Sequence, residues 1–66
     1  MLMNPLRAYR IERGLSLSDL AEAASMGRAE LVAVENGERR LTRDQGIDLA
    51  QRLRVDLQVL TAYLAA

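Results

Sequence analysis

Residues 17–36 read LSDLAEAASMGRAELVAVEN and decide the fold, because apolar or small side chains recur in them at helical spacing on both sides of a short break. The pattern predicts two short helices joined by a tight turn, each burying one face. The predicted buried positions are Leu20, Ala21, Ala24, Met26, Leu31 and Val34. The outward face of the second helix is then the surface that this pair presents to a partner.

Helix-start and helix-stop residues divide the rest of the chain in the same way. Asn4 before Pro5 predicts a capped N-terminus, and Gly14 predicts a left-handed helix end. No strand pattern, repeat or linker interrupts the series. The predicted helices span about residues 5–13, 17–24, 28–36, 43–53 and 57–64. We therefore expect one all-α, compact five-helix domain over residues 1–66.

Three of these helices begin at recognisable caps. Ser16 with Asp19, and Thr42 with Gln45, have the spacing of capping boxes, in which each residue satisfies a backbone amide near the other. Asp56 is the expected cap of the last helix.

Composition limits the chemistry open to the protein. A chain of 66 residues has room for one small core and no deep catalytic cleft. It contains no cysteine and no histidine, which removes thiolate chemistry, disulfides and the usual zinc ligand sets. No apolar run could span a bilayer, and the N-terminus does not resemble a signal peptide. We expect a cytoplasmic protein that is not an enzyme. It is expected to bind no metal, cofactor or small-molecule ligand and not to associate with a membrane.

The net charge is zero, which on its own disfavours nucleic acid as a partner. The positive charges are nevertheless unevenly placed, and all nine are arginines. Arg7, Arg10 and Arg13 fall in the first helix, Arg28 begins the third, Arg39, Arg40 and Arg43 surround the following loop, and Arg52 and Arg54 come later. The neutral chain can carry a basic face, or the charges can be scattered and solvated.

Several motifs together resemble the lambda-repressor-like, Xre/Cro-type helix-turn-helix domains over nearly the whole chain. They are Arg-Gly-Leu-Ser at 13–16, Leu20-Ala21, Leu31 with Val34, Glu-Asn-Gly at 35–37, Thr42, and the run from Leu49-Ala50 to Val55. The Glu-Asn-Gly after an apolar pair is the most specific of them. The resemblance implies a sequence-specific binder of double-stranded DNA, acting as a small bacterial or phage transcriptional regulator on the nucleoid.

The resemblance also implies which residues contact DNA, with the helix at about 28–36 in the major groove. The expected base contacts are Arg28, Ala29, Val32 and Ala33. The expected backbone contacts are Ser18, Asn36, Arg39, Arg40 and Arg43. Only Arg28 can make a bidentate contact with guanine, whereas the small apolar side chains can pack on thymine methyl groups. Glu30 either accepts from the amide of Gly27 or accepts from a cytosine amine.

Three positions depart from the family pattern. Leu17 stands where glutamine often contacts DNA, so that contact is missing. Ser25 occupies a turn position that often holds glycine, because the backbone there needs a positive φ. Gly27 replaces the frequent serine or threonine cap of the third helix.

In such domains an arginine of the first helix pairs with the glutamate that ends the third, here Arg10 and Glu35. A partly buried pair would tie the two helices together, and removing one partner would leave an uncompensated charge. An exposed pair would contribute little.

The last helix carries more apolar surface than a small core is expected to cover. We expect its residues Leu57, Leu60, Tyr63 and Leu64 to form a homodimer interface, although Leu57 and Leu60 can also cap the domain's own core. A two-fold dimer would place two recognition helices one duplex turn apart, on a palindromic site.

A second class of function remains open. If Leu17, Ala29, Val32 and Ala33 form one exposed apolar patch, the fold could serve as a protein-interaction module, such as an adaptor or antitoxin, with weak or no DNA binding. A regulator of this size could also act by contacting another transcription protein. Salt dependence separates the classes, because phosphate contacts weaken steeply as salt rises.

Overall fold

The computed structural model describes residues 5–65, which form the five predicted helices. They are α1 (Pro5–Glu12), α2 (Leu17–Ala23), α3 (Arg28–Glu35), α4 (Arg43–Leu53) and a C-terminal 3-10 helix (Leu57–Tyr63). The predicted boundaries agree to within one residue, and the all-α prediction is confirmed. The expected cap at Asn4 lies outside the described residues. No helix between residues 5 and 65 is long and apolar enough to cross a membrane.

The last helix is of the 3-10 type, with three residues per turn, rather than α-helical. Leu57, Leu60 and Tyr63 follow at that spacing and lie on the side that faces the core. The sequence pattern of this segment is therefore matched to the tighter helix.

Both capping boxes are present. The amide of Asp19 donates to the Ser16 hydroxyl at 3.0 Å, and the amide of Ser16 donates to the Asp19 carboxylate at 3.2 Å. Thr42 and Gln45 form the equivalent bonds at 3.1 and 3.0 Å. The prediction that Asp56 caps the last helix is wrong in its chemistry. Asp56 occupies the N-cap position, but its side chain makes no capping hydrogen bond.

The hydrophobic core is built mainly from leucines contributed by every helix. The six positions predicted from residues 17–36 are all buried, so that prediction is confirmed. The remaining buried apolar side chains of the described residues are Leu6, Leu41, Leu49, Ala50, Leu53 and Leu60. Because α2 and α3 pack on this common core, only their outer faces are left for a partner.

The C-terminal segment contributes to this core, which corrects the predicted dimer interface at Leu60. Leu60 has 0% of its surface exposed and cannot contact a second subunit, so it caps the domain's own core, the alternative that the sequence also allowed. Leu57, Tyr63 and Leu64 are partly buried and pack against the same core. Their place in a dimer interface stays a prediction.

Gly46 makes this close packing possible. It is buried within α4, where an added Cβ would collide with Leu64 Cδ2 and lie 3.2 Å from Leu57 Cδ1. The missing side chain therefore leaves the space that the C-terminal segment occupies.

Between residues 5 and 65, two residues other than glycine have a left-handed backbone: Ser25 with φ of 52° and Arg54 with φ of 60°. Ser25 lies in the turn after α2, as predicted, and Arg54 ends α4. An L side chain at such a φ costs about 1 kcal/mol or more relative to glycine.

We expect Ser25→Gly and Arg54→Gly each to raise the free energy of unfolding by about 0.5–1 kcal/mol, since relief of strain outweighs the added freedom of the unfolded chain. Urea denaturation measures the change. Ser25→Ala and Arg54→Ala are the matched controls, because they remove the side-chain atoms beyond Cβ but keep the Cβ that causes the strain. A loss of stability on Ser25→Gly would contradict the account.

Candidate nucleic-acid interface

The turn between α2 and α3 fixes the direction in which α3 leaves. The left-handed Ser25 reverses the chain, and the amide of Met26 donates to the carbonyl of Ala21 at 3.0 Å. The Met26 side chain is buried beneath the turn. Gly27 then takes an extended backbone as the N-cap of α3. The turn is therefore fixed both by a backbone hydrogen bond and by the buried side chain of Met26.

The face of α3 opposite the core presents the predicted base-contacting residues to solvent. Arg28 and Ala29 are exposed, Val32 is 38% exposed, and Ala33 is partly buried. Leu31 and Val34 on the opposite face are fully buried. The helix is therefore anchored by one side and open on the other.

Arg10 and Glu35 join α1 to the end of α3 in a two-pronged ion pair. Arg10 Nε donates to Glu35 Oε2 at 2.8 Å, and Nη2 donates to Oε1 at 3.3 Å. The side chains are only 12% and 6% exposed. Arg10 Nη1 also donates to the carbonyl of Leu15 at 3.0 Å. Of the two alternatives considered from the sequence, the structure has the buried pair.

Glu30 is occupied at the N-terminus of α3. One carboxylate oxygen accepts from the amide of Gly27 at 3.5 Å, and the other lies 3.4 Å from Arg39 Nη2. The pairing with Arg39 was not predicted, because it joins the helix to the following loop across a distance that local patterns do not encode. It positions Arg39 beside the first turn of α3, with its side chain still half exposed.

Arg40 has a structural partner that the sequence did not reveal: its Nη1 donates to the carbonyl of Ala62. Beside it, the amide of Leu41 donates to the carbonyl of Tyr63 at 2.7 Å, and the amide of Ala65 donates to the carbonyl of Leu41 at 2.8 Å. A phosphate contact by Arg40 would use its remaining donors. The loop after α3 is thus held against the C-terminal segment.

The other predicted backbone contacts lie at the surface. Ser18 in the first turn of α2, Asn36 at the end of α3 and Arg43 at the start of α4 are all exposed. Contact of these three residues with phosphate stays a prediction.

Leu17 does not belong to the apolar patch predicted on this surface. It is partly buried and packs against the core. The first turn of α2 places it inward, because Leu20 on the same face must also be buried. The exposed apolar surface of α3 therefore consists of Ala29, Val32 and Ala33, which is small for a protein-docking patch.

The capping box at the start of α2 also sets an electrostatic property. The pKa of the Asp19 carboxyl lies below its ordinary value. The largest cause is the hydrogen bond from the backbone amide of Ser16, followed by the hydrogen bond with the Ser16 hydroxyl, and the positive charge of Arg52 adds a smaller effect. The folded state therefore prefers the carboxylate. The resulting stabilisation is present above the pKa of the unfolded chain and is lost as pH falls through the lower folded-state pKa.

We accordingly expect Asp19→Asn to flatten the acid side of the stability profile. Denaturant unfolding between about pH 5 and pH 2 measures this, because the lost stabilisation titrates in that window. Asp48→Asn, which removes a carboxylate from the exposed side of α4, is the matched control. An unchanged acid slope in Asp19→Asn would show that the cap does not couple to protonation.

Helix α2, the fixed turn at residues 24–27 and helix α3 with its exposed outer face together form a helix-turn-helix domain. The family model described as Helix-turn-helix (HTH_3) matches residues 6–60. The chain therefore belongs to this Xre and lambda-repressor-like family, whose members are DNA-binding regulatory domains rather than typical enzymes. No curated protein and no solved structure matches the chain significantly.

Proposed function

We propose that this domain binds double-stranded DNA sequence-specifically, with α3 in the major groove, as a small transcriptional regulator. The observation that carries the proposal is the division of α3 into two faces. Leu31 and Val34 fix it to the core, while the side chains of Arg28 and Val32 are exposed. Family membership supports DNA as the partner.

Specificity and affinity come from different residues in this proposal. Arg28 donates to guanine, and Ala29, Val32 and Ala33 contact the edges of neighbouring bases. Phosphate contacts come from the arginine-bearing loop and the exposed residues around α3: Ser18, Asn36, Arg39, Arg40 and Arg43. Such contacts set the position of the helix on the duplex without themselves selecting a sequence.

We further propose that two copies bind a palindromic site in the cytoplasm, with recognition helices about 34 Å apart. Because Leu60 is buried, the copies meet through other residues or only on DNA. A bound domain of this size would repress by covering the site, or would contact a neighbouring transcription protein.

Selection of duplexes from a randomised pool at two salt concentrations, followed by sequencing, tests the proposal. An enriched palindrome and a steep loss of binding at high salt are the expected results, since each phosphate contact releases counterions. Binding without enrichment would limit the arginines to phosphate contacts. Failure to bind at both salt concentrations would reject DNA binding and favour a protein partner for the α3 patch.

On the selected site, we expect Arg28→Ala to weaken binding by about 1–3 kcal/mol and to relax the preference at one base pair. Arg52→Ala is the matched control, because it removes the same charge from the far end of α4, beside Asp19 of α2. Equal losses from the two substitutions, without a change in sequence preference, would show that Arg28 acts only through its charge.

A further inference from the structure

The outward face of α3 lacks free hydrogen-bonding side chains over most of its length. Arg28 supplies donors at the first turn, and Asn36 follows only at the C-cap. Between them the outward positions are Ala29, Val32 and Ala33. Glu30 is the other polar side chain of this region, and its carboxylate is held by the Gly27 amide and Arg39. Alkyl groups therefore form most of the surface available to bases.

An alkyl surface cannot use the hydrogen-bonding groups by which bases differ in the major groove. Thymine presents the O4 acceptor and a C5-methyl group, whereas cytosine presents the N4 amine and no methyl. Against Val32 and its alanine neighbours, the methyl group is the feature that can be recognised favourably. 5-Methylcytosine carries that methyl group at the same ring position as thymine.

We propose that α3 reads the pyrimidine 5-methyl group, so that 5-methylcytosine substitutes for thymine and cytosine-5 methylation strengthens binding to a site with cytosine there. This inference rests on the proposed binding of DNA by α3. It adds a chemical state of the DNA, its methylation, to which the protein responds.

Helix geometry places the methyl-reading residue next to the guanine-reading residue. Arg28 and Val32 are four residues apart and share one face of α3, as Ala29 and Ala33 do beside them. The side chains of Ala29 and Ala33 are short, so the helix backbone can approach the base edges. Val32, 38% exposed, is the largest of the exposed apolar side chains of α3. A methylated pyrimidine adjoining the guanine contacted by Arg28 fits this arrangement.

The experiment uses the selected site in four synthetic versions at each thymine position: thymine, uracil, cytosine and 5-methylcytosine, each with its complementary base. Uracil keeps the hydrogen bonds of thymine and lacks only the methyl group. At one or more positions we expect uracil to weaken binding by about threefold to fivefold, the effect of one buried methyl group. We expect 5-methylcytosine to exceed cytosine by a similar factor.

Val32→Ala and Val59→Ala form a matched pair of variants. Both valines are similarly exposed, at 38% and 39%, but Val59 lies on the C-terminal 3-10 helix. We expect Val32→Ala to bring the thymine-to-uracil and 5-methylcytosine-to-cytosine affinity ratios towards one, and Val59→Ala to leave both ratios unchanged.

The outcomes separate this inference from the proposed function. A selected site without thymine at contacted positions, or equal affinities for thymine and uracil throughout, would overturn methyl reading and leave sequence-specific binding intact. Methyl-dependent ratios that persist in Val32→Ala would overturn the assignment of methyl reading to Val32. Absence of duplex binding would overturn both proposals.

Discussion

Arg10→Met is expected to lower the free energy of unfolding by about 3–5 kcal/mol, because it removes the guanidinium that forms two bonds with the buried Glu35 carboxylate. Glu35 is 6% exposed and accepts two bonds from the guanidinium. The carbonyl of Leu15 loses a donor as well. In a domain of this size each kcal/mol moves the melting temperature by about 4–8 °C, so the change is readily measured by thermal and urea denaturation.

Two further variants isolate the cause of this loss. Arg7→Met removes an exposed arginine from the same helix and is expected to change stability by less than about 0.5 kcal/mol. The double variant Arg10→Met/Glu35→Leu removes both charges and should recover much of the stability lost in Arg10→Met. A double variant no more stable than Arg10→Met would show that the guanidinium acts through Leu15 instead of through the ion pair.

Leu60→Ala is expected to lower the free energy of unfolding by about 2–5 kcal/mol, because it leaves a cavity in the core. Leu60 is fully buried within one chain. The loss should therefore be the same at low and high protein concentration. Urea denaturation at two concentrations at least a hundredfold apart makes this measurement.

The neighbouring Val59→Ala is the control, since its side chain is 39% exposed. It should change stability by less than about 0.5 kcal/mol. If the effect of Leu60→Ala were confined to high protein concentration, Leu60 would belong to an interface between copies, contrary to the packing described above.

Local signals in the sequence predicted the helices well because the groups involved lie close along the chain. Ser16 and Asp19 are three residues apart, as are Thr42 and Gln45, and both pairs close their capping boxes as expected. The positive φ at Ser25 was expected through the resemblance to a family rather than from local signals, and Ser25 has a φ of 52°.

Contacts between distant segments were not predictable in the same way. Nothing beside Arg40 in the sequence points to Ala62, and the link between Arg39 and Glu30 depends on the path of the intervening loop. The pairing of Arg10 with Glu35 was expected only through the resemblance to a family. For the DNA-contacting residues, the structure adds exposure and partners, while their contacts with bases and phosphates remain predictions.

The last helix shows why counting apolar residues misled the sequence interpretation. Its leucines seemed too many for so small a core, but Leu41 and Gly46 together provide a place for them. Leu41 pairs with the C-terminal segment through its backbone, and Gly46 leaves space for Leu57 and Leu64. Neither effect is visible without the tertiary packing.

The backbone pairing of Leu41 also bears on how this domain can diversify. Residues 62–65 hold the loop that carries Arg39 and Arg40 through hydrogen bonds to Arg40 and Leu41, although they lie outside the proposed DNA-contacting surface. Substitutions that change the conformation of residues 62–65 would move the loop arginines while leaving every proposed base-contacting residue unchanged. We therefore expect affinity for the duplex and choice of sequence to vary independently, the first through changes at the C-terminus and the second through changes in α3.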